Sequence, residues 1–104
     1  MEGQSEFRIS SRLKAVECIS KGKEILNRDG RVAFHAIGNS IVNAVKAANR
    51  LVELGYADMQ KFNTFSIDET FENQPRKVYK VIIELSKSAE FDQINEAYEK
   101  SRAK

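Results

Sequence analysis

The segment from Arg31 to Gly55 changes its hydrophobic period at one glycine. Before Gly38, apolar and polar residues alternate as in a half-buried strand; after it, apolar residues recur every three or four positions, as in an amphipathic helix. Gly-Asn-Ser is all that separates the two patterns, and Gly55 suits the left-handed position that follows a helix. The sequence therefore predicts a strand joined directly to a long helix, in a fold that mixes both kinds of element.

The first thirty residues predict a second unit of the same kind. Residues 7–9, Phe-Arg-Ile, alternate as in a short strand. Ser10 and Ser11 are predicted to cap a helix that extends to Asn27, because serine is a favoured N-cap residue. Apolar residues recur at helical spacing along it, among them Leu13, Val16, Ile19, Leu26 and their neighbours. Asp29-Gly30 is predicted to end it and to turn the chain.

The rest of the chain predicts a hairpin and a final helix. Residues 59–67 and 77–85 favour strands, the second with Tyr79, Val81, Ile83 and Leu85 on one face. The polar segment DETFENQPR between them predicts a long hairpin loop. Ser88 is predicted to cap a last helix with an apolar stripe of Phe91, Ile94 and Tyr98.

Together these elements predict an α+β fold, a two-layer sandwich in the order β-α-β-α-β-β with an added C-terminal helix. Both main helices are expected on one face of a small mixed sheet. Residues 1–6 are predicted to be a disordered lead-in and residues 7–104 a single domain. The other face of the sheet stays open unless the final helix or a second subunit covers it.

Composition excludes several classes of protein. Of 104 residues, 41% are hydrophobic and 31% charged, which excludes a disordered chain. One cysteine, Cys18, excludes a disulfide framework and a cysteine-based zinc site within the chain. We find no apolar segment typical of a signal peptide or a membrane span, so we expect a cytoplasmic or nuclear protein. The net charge of only +2 means that any basic surface must arise from the placement of charges.

The junction at Gly38 is the strongest candidate binding site. A strand that opens a helix points backbone N–H groups at one spot, where the helix dipole adds positive charge and favours a phosphate. The side chains of Asn39 and Ser40 add neutral hydrogen-bonding groups. Gly-Asn-Ser is also an ordinary turn and cap, and that interpretation stays open. No dinucleotide-binding or P-loop glycine pattern is present.

Cations flank this junction in the predicted fold. Arg12 and Lys14 follow the first strand, whose exit is expected at the same edge of the sheet as Gly38. A second group of cations, Arg76, Lys77 and Lys80, follows the hairpin loop. Basic side chains beside a helix N-terminus are typical of phosphate-backbone recognition. Scattered surface cations need no ligand, however, and the acidic loop residues Asp68, Glu69 and Glu72 weaken the patch.

Other chemistry-bearing residues favour structural roles. His35 has no partner base or nucleophile in sequence and is predicted to be packed or on the surface. Cys18 is predicted to be a small buried hydrophobe. Phe62 and Phe65 are predicted to pack in the sheet or across a dimer interface. Phe71 either stacks on a base or packs the loop onto the body. We predict no enzyme activity and no metal or other cofactor.

Two segments resemble one known family. RVAFHAIGNSIVNAVKAANRLVELG is similar to the second strand and helix of Alba-domain proteins, the DNA-binding and RNA-binding proteins of archaeal chromatin and of eukaryotes. NTFSIDETFENQPRKVYKVIIELSKS is similar to their hairpin, and the resemblance extends over about residues 7–100. It implies a fold like the C-terminal domain of bacterial translation initiation factor three. It also implies a homodimer, or a heterodimer with a paralogue, that binds RNA or DNA and no membrane.

The resemblance implies three binding regions. By position they are Ser11 with Arg12, then Ile37 to Ser40, then residues 68–77 with Arg76 and Lys77. Archaeal members commonly carry two lysines where this chain has Ser11-Arg12, and arginines where it has Ile37 and Asn39. This poorer charge favours salt-sensitive binding to RNA or single strands over coating of duplex DNA. The alternative is a protein-interaction subunit of a ribonucleoprotein, like the small subunits of ribonuclease P, that needs a paralogous partner.

Overall fold

The computed structural model describes residues 5–102, including the backbone but not the side chain of Phe71. The elements are β1 (Glu6–Ile9), α1 (Ala15–Asp29), β2 (Arg31–Ile37), α2 (Ile41–Glu53), β3 (Ala57–Phe71), β4 (Gln74–Lys87) and α3 (Phe91–Arg102). A 3-10 turn, Gly38–Ser40, joins β2 to α2. The predicted order of elements is confirmed. Within residues 5–102, no helix is both long and apolar enough to cross a membrane.

The four strands form one mixed sheet in the spatial order β1-β2-β4-β3. β1 and β2 are parallel, and α1 connects them. β4 is antiparallel to both β2 and β3. Because parallel neighbours end at the same edge of a sheet, the exits of β1 and β2 lie side by side, as the sequence predicted.

The core lies between one face of the sheet and the helices α1 and α2. The alternation in β2 and β4 buries every second side chain: Val32, Phe34 and Ala36, then Val81, Ile83 and Leu85. The facing helices contribute Cys18, Ile25 and Leu26 from α1, and Ala44, Ala47, Ala48 and Leu51 from α2. The small residues of α2 let its backbone approach the sheet closely. The predicted α+β two-layer sandwich is confirmed.

α1 begins later than predicted. Its N-cap is Lys14 in an extended conformation, without a side-chain cap, so the predicted capping by Ser10 and Ser11 is wrong. Those serines belong to a turn in which the Leu13 N–H donates to the Ser10 carbonyl at 3.2 Å. The turn carries the chain from the edge of the sheet up to the helical layer. The buried side of α1 also differs from the predicted one, since Cys18, Ile25 and Leu26 are buried while Val16 is 63% exposed.

β1 also differs at its start. Glu6, which the sequence placed in a disordered lead-in, is the first residue of β1. Ser5 is buried, and its carbonyl accepts a hydrogen bond from the Ala33 N–H at 2.8 Å. The rest of the predicted lead-in, residues 1–4, lies outside the described residues.

The hairpin is an extended ribbon rather than a long loop, so that prediction was wrong. β3 continues to Phe71 and β4 starts at Gln74, which leaves a two-residue turn at Glu72 and Asn73. Both turn residues have positive φ, 53° and 64°, as a type I′ hairpin turn requires. The ribbon from residue 66 to residue 79, called the arm below, extends beyond the helices, and the described side chains between residues 66 and 77 are exposed.

α3 packs at the C-terminal end of α2. The Phe91 ring is fully buried and lies 5.2 Å from the Tyr56 ring in an edge-to-face arrangement. Gly55 has a φ of +88°, which confirms its predicted role in ending α2, and a Cβ there would lie 2.6 Å from Ile94 Cδ1. α3 therefore belongs to the helical side of the molecule. Within residues 5–102 it does not cover the opposite face of the sheet.

Candidate nucleic-acid interface

The predicted site residues converge on one cleft of about 830 Å³ at the edge of the sheet where β1 and β2 end. Six of the eight line it: Ser11, Gly38, Asn39, Ser40, Arg76 and Lys77. The topology explains this, because β4 returns from the arm beside β2 and pairs Lys80 with Ile37. One wall of the cleft is thus the strand exits, and the other is the base of the arm.

Gly38 adopts a left-handed conformation, with a φ of +60°. A Cβ built on Gly38 would have no heavy atom within 4 Å. The glycine is therefore needed for the backbone turn and not for close packing within the chain, and the space above it is open. At this first helical turn the N–H groups of residues 38–40 have no acceptor within the helix.

The hydroxyl of Ser40 serves the turn itself. It donates to the Ile37 carbonyl at 2.8 Å and accepts from the Ile37 N–H at 3.0 Å. Ser40 is only 4% exposed. The expectation that its side chain adds a hydrogen bond for a ligand therefore does not fit the geometry, whereas Asn39 is exposed and can do so.

Arg12 and Lys14 lie outside the lining of the cleft, on the loop between β1 and α1. This loop is tied to α2, because the Asn43 side-chain amide donates to the Leu13 carbonyl at 2.7 Å. Asn43 is one helical turn beyond Asn39. Arg12 and Lys14 are both exposed, and within residues 5–102 neither forms an ion pair.

The cations of the arm are balanced by its own carboxylates. Arg76 forms an ion pair with Glu69 across the ribbon, at 3.0 Å, and Lys77 lies directly opposite Asp68. With Glu72, the arm carries three carboxylates against two cations. The arm therefore has no net positive charge. The positive charge nearest the cleft comes mainly from the body of the domain.

Comparison with known proteins agrees with this architecture. The family model described as Alba matches residues 5–69, which is more than half of the chain. The chain belongs to the Alba family. Crystallised ALBA1 from Trypanosoma brucei superposes with a TM-score of 0.79 at 23% identity, over 96% of this chain and 83% of that one. Alba from Thermoplasma volcanium gives 0.66 at 16% identity, over 79% of this chain and 99% of its own. No curated protein matches.

Among the residues that line the cleft, Arg8 and Tyr79 were not predicted to belong to a binding site. Tyr79 was predicted to extend the core face of β4, but it lies beyond the helices and is 59% exposed. Arg8 was visible as the polar position of a short strand. Its place in the site depends on the neighbour that β1 pairs with, which periodicity alone does not give.

His35 and Cys18, the other chemistry-bearing side chains, make contacts that serve the fold. His35 Nε2 lies 3.1 Å from Glu6 Oε1, so the imidazole links β2 to β1. Cys18 is fully buried, as predicted; burial, and secondarily the charge of Glu17, raise the pKa of its thiol. Among residues 5–102, no three potential metal ligands cluster. The side chain of Phe71, for which two roles were predicted, lies outside the described part of the structure.

Replacing Gly38 with alanine is expected to lower the free energy of unfolding by roughly 1–2 kcal/mol, because an L residue with a Cβ is strained at this φ. Urea unfolding followed by circular dichroism measures the loss. Gly38→Asn is the matched control, since asparagine tolerates the left-handed region better, and it is expected to lose less. Equal stability of all three proteins would show that the turn does not need its observed conformation.

Proposed function

We propose that this Alba-family protein binds RNA through phosphate contacts as a dimer, without catalysing a reaction. Membership of the family supports nucleic-acid binding in general. The observation that supports the specific site is the convergence of the β1 exit, the Gly38 turn and the base of the arm on one cleft. Free N–H groups, an exposed amide and nearby cations form a surface that suits a phosphodiester backbone.

The proposed contacts are few, and this favours RNA or single strands. Arg12 and Lys14 supply positive charge beside the cleft, whereas Arg76 is paired with Glu69 and Lys77 lies opposite Asp68. Each phosphate neutralised on a single strand contributes about −0.7 to the slope of log affinity against log salt. A small number of contacts per chain gives moderate, salt-sensitive affinity. In a dimer, two clefts then bind the same RNA molecule, and this avidity raises the apparent affinity.

The proposed dimer surface is an apolar flank on the outer side of α2 and β3, formed by the exposed side chains of Val52, Met59 and Phe62 and the half-buried side chain of Val45. Val45 and Val52 are two helical turns apart and so share a side of α2. Asn43, about 200° away around the helix, faces the β1–α1 loop, which places the valines toward β3. Phe62 pairs with buried Ile83 and points to the helical side, yet it is 48% exposed because β3 is an edge strand.

A second candidate role uses the same flank. A paralogous chain with a similar α2 and β3 can occupy it as well as a second copy, and the partner would then supply the cations that this chain lacks. The self-balanced arm favours that possibility. Size-exclusion chromatography of the chain alone, and after mixing with candidate paralogues, distinguishes the two: a homodimer that binds RNA alone supports the first role.

Replacing Arg12 with glutamate is expected to weaken RNA binding by about tenfold at moderate salt, because it removes one phosphate contact and adds a repelling charge. Fluorescence anisotropy with a labelled single-stranded RNA, titrated at several salt concentrations, measures both the affinity and the salt slope. Duplex RNA and duplex DNA of the same sequence, run in parallel, give the ligand preference.

Lys100→Glu is the matched control for that experiment. It makes the same change of charge on α3, at the C-terminal end of the helical layer, where Lys100 forms an exposed ion pair with Glu96 at 3.4 Å. Its affinity is expected to stay within about twofold of the unmodified protein, as for a screened, distant charge. Equal losses for both variants would mean that only net charge matters and that the proposed cleft is wrong.

A further inference from the structure

The face of the sheet opposite the helices carries an apolar strip that the described chain leaves uncovered. Three large side chains on this face are about half exposed: Ile37 at 51%, Phe65 at 45% and Ile67 at 42%. Strand register brings them together. Ile37 of β2 pairs with Lys80 of β4, and Lys80 pairs with Phe65 of β3. Ile37, Lys80 and Phe65 therefore form a row across three adjacent strands, and Ile37 and Phe65 lie two strand spacings, about 10 Å, apart.

Lys80 lies in the middle of this row, between an aliphatic and an aromatic side chain. Its side chain is half-buried, as expected for a lysine whose stem packs on neighbours while the ammonium stays in water. Arg8 projects from the same face, since it pairs with His35 two residues before Ile37. Neither cation forms an ion pair with any residue between 5 and 102.

This strip, defined as Ile37, Phe65, Ile67 and Lys80, is continuous with the cleft. Ile37 and Lys80 belong to both surfaces, because they lie where β2 and β4 meet the base of the arm, and Arg8 lines the cleft on the neighbouring strand β1. The strip is also separate from the proposed dimer surface. Phe62 and Phe65 lie on one strand but on opposite faces, since Phe62 pairs with buried Ile83 and Phe65 with Lys80. A dimer formed through Phe62 therefore leaves Phe65 exposed.

We propose that the strip is a stacking platform for the bases of single-stranded RNA, with Lys80 and Arg8 binding the adjoining phosphates. This rests on the proposed RNA-binding function and deepens it. Phe65 lies beside Lys80, and Arg8 lies farther along the same open face, on the opposite edge strand. An exposed ring next to a cation suits unpaired bases, whose flat faces stack while the backbone meets positive charge. A protein partner would have to supply an acceptor for Lys80 where it buries the side chain, whereas RNA carries a phosphate acceptor at every nucleotide.

Intrinsic fluorescence tests the stacking directly, because the chain contains no tryptophan. In Phe65→Trp, a short oligouridylate is expected to quench the indole emission, and an abasic oligonucleotide of the same length is not. Phe62→Trp places the same reporter on the opposite face of the same strand, and its emission is expected to stay unchanged. Quenching of both reporters, or of neither, would contradict the platform.

Affinity gives the second measurement. Phe65→Ala is expected to weaken oligouridylate binding by about 5- to 150-fold, as for loss of one stacked base, and to leave binding of the abasic oligonucleotide unchanged. Lys80→Gln, which keeps most of the packing stem, is expected to weaken binding of both ligands. If the Phe65→Ala protein does not fold, the Phe65→Trp fluorescence and the Lys80→Gln affinity still decide the question.

The outcomes separate this inference from the proposed function. If oligouridylate binds with the expected salt dependence but Phe65→Ala binds it equally well, RNA binding stands and the platform is wrong. If Phe65→Ala alters the sedimentation coefficient while RNA affinity is unchanged, the strip is a protein contact and the inference is equally wrong. If no oligonucleotide binds to the unmodified protein, the proposed function fails, and the platform with it.

Discussion

The Phe34→Ala variant is expected to lose about 3–5 kcal/mol of unfolding free energy, the range measured for large-to-small changes at buried aromatic sites. Phe34 is fully buried at the centre of β2. Its ring lies 6.0 Å from the Phe7 ring, edge to face, and its tip reaches α1 at Gly22, where a Cβ would be 2.6 Å from Phe34 Cζ. One ring therefore joins β1, β2 and α1, and its removal leaves a cavity that a close-packed core cannot fill.

Urea unfolding monitored by circular dichroism measures this loss, at fixed protein concentration because dimerisation adds to the apparent stability. Since small domains are stable by about 5–15 kcal/mol, this loss is a large fraction of the total stability and is expected to lower the urea midpoint clearly. Val16→Ala is the matched control: Val16 is 63% exposed, and its truncation is expected to change stability by less than about 0.5 kcal/mol. Similar losses in the two variants would contradict the assigned core.

Replacing Phe62 with glutamate is expected to dissociate the proposed dimer. The side chain is 48% exposed in the single chain and lies beside Met59, which is 39% exposed, on the flank that the dimer would bury. A carboxylate buried there without a partner opposes association by several kcal/mol. RNA affinity is then expected to fall by about 10²- to 10⁴-fold, because each monomer keeps one cleft and the avidity of two is lost.

Analytical ultracentrifugation of Phe62→Glu measures the first effect, and anisotropy on a single-stranded RNA long enough to reach both clefts measures the second. Phe65→Glu is the matched control for association, since it places the same charge on the same strand but on the opposite face, and it is expected to remain dimeric. A dimeric Phe62→Glu protein would show that the flank is not the interface. A monomeric unmodified protein would instead favour the paralogue as partner.

How far the sequence predicted the fold depends on how local each signal is. β2 was predicted with its observed ends, Arg31 and Ile37, and α2 was correctly ended at Gly55, because burial periodicity and a left-handed glycine are properties of a few consecutive residues. The start of α1 was not predicted. Ser10 and Ser11 are residue types that favour an N-cap. In the structure they lie instead in the turn that leads from the sheet to the helical layer.

The prediction of a long hairpin loop was wrong for a related reason. A segment rich in Asp, Glu, Asn and Pro is typical of a loop, but here opposite charges face each other across a ribbon, as at Glu69 and Arg76. Such cross-strand pairs stabilise a hairpin only in one register. The register depends on a turn at Glu72 and Asn73, where both residues have positive φ without being glycine. The sequence carries only a weak signal for that turn.

The sequence by itself determined the family, the order of the elements, the buried faces of β2 and β4, and the glycine turn that opens α2, because each follows from neighbouring residues and their period. The tertiary structure decided which surfaces remain exposed and which side chains lie together on them. Arg8, Lys80 and Phe65 are far apart in the chain and meet only through strand order and register. Likewise, the hydrogen bond from the Ser40 hydroxyl to the Ile37 carbonyl and the ion pair between Arg76 and Glu69 form only in the folded chain.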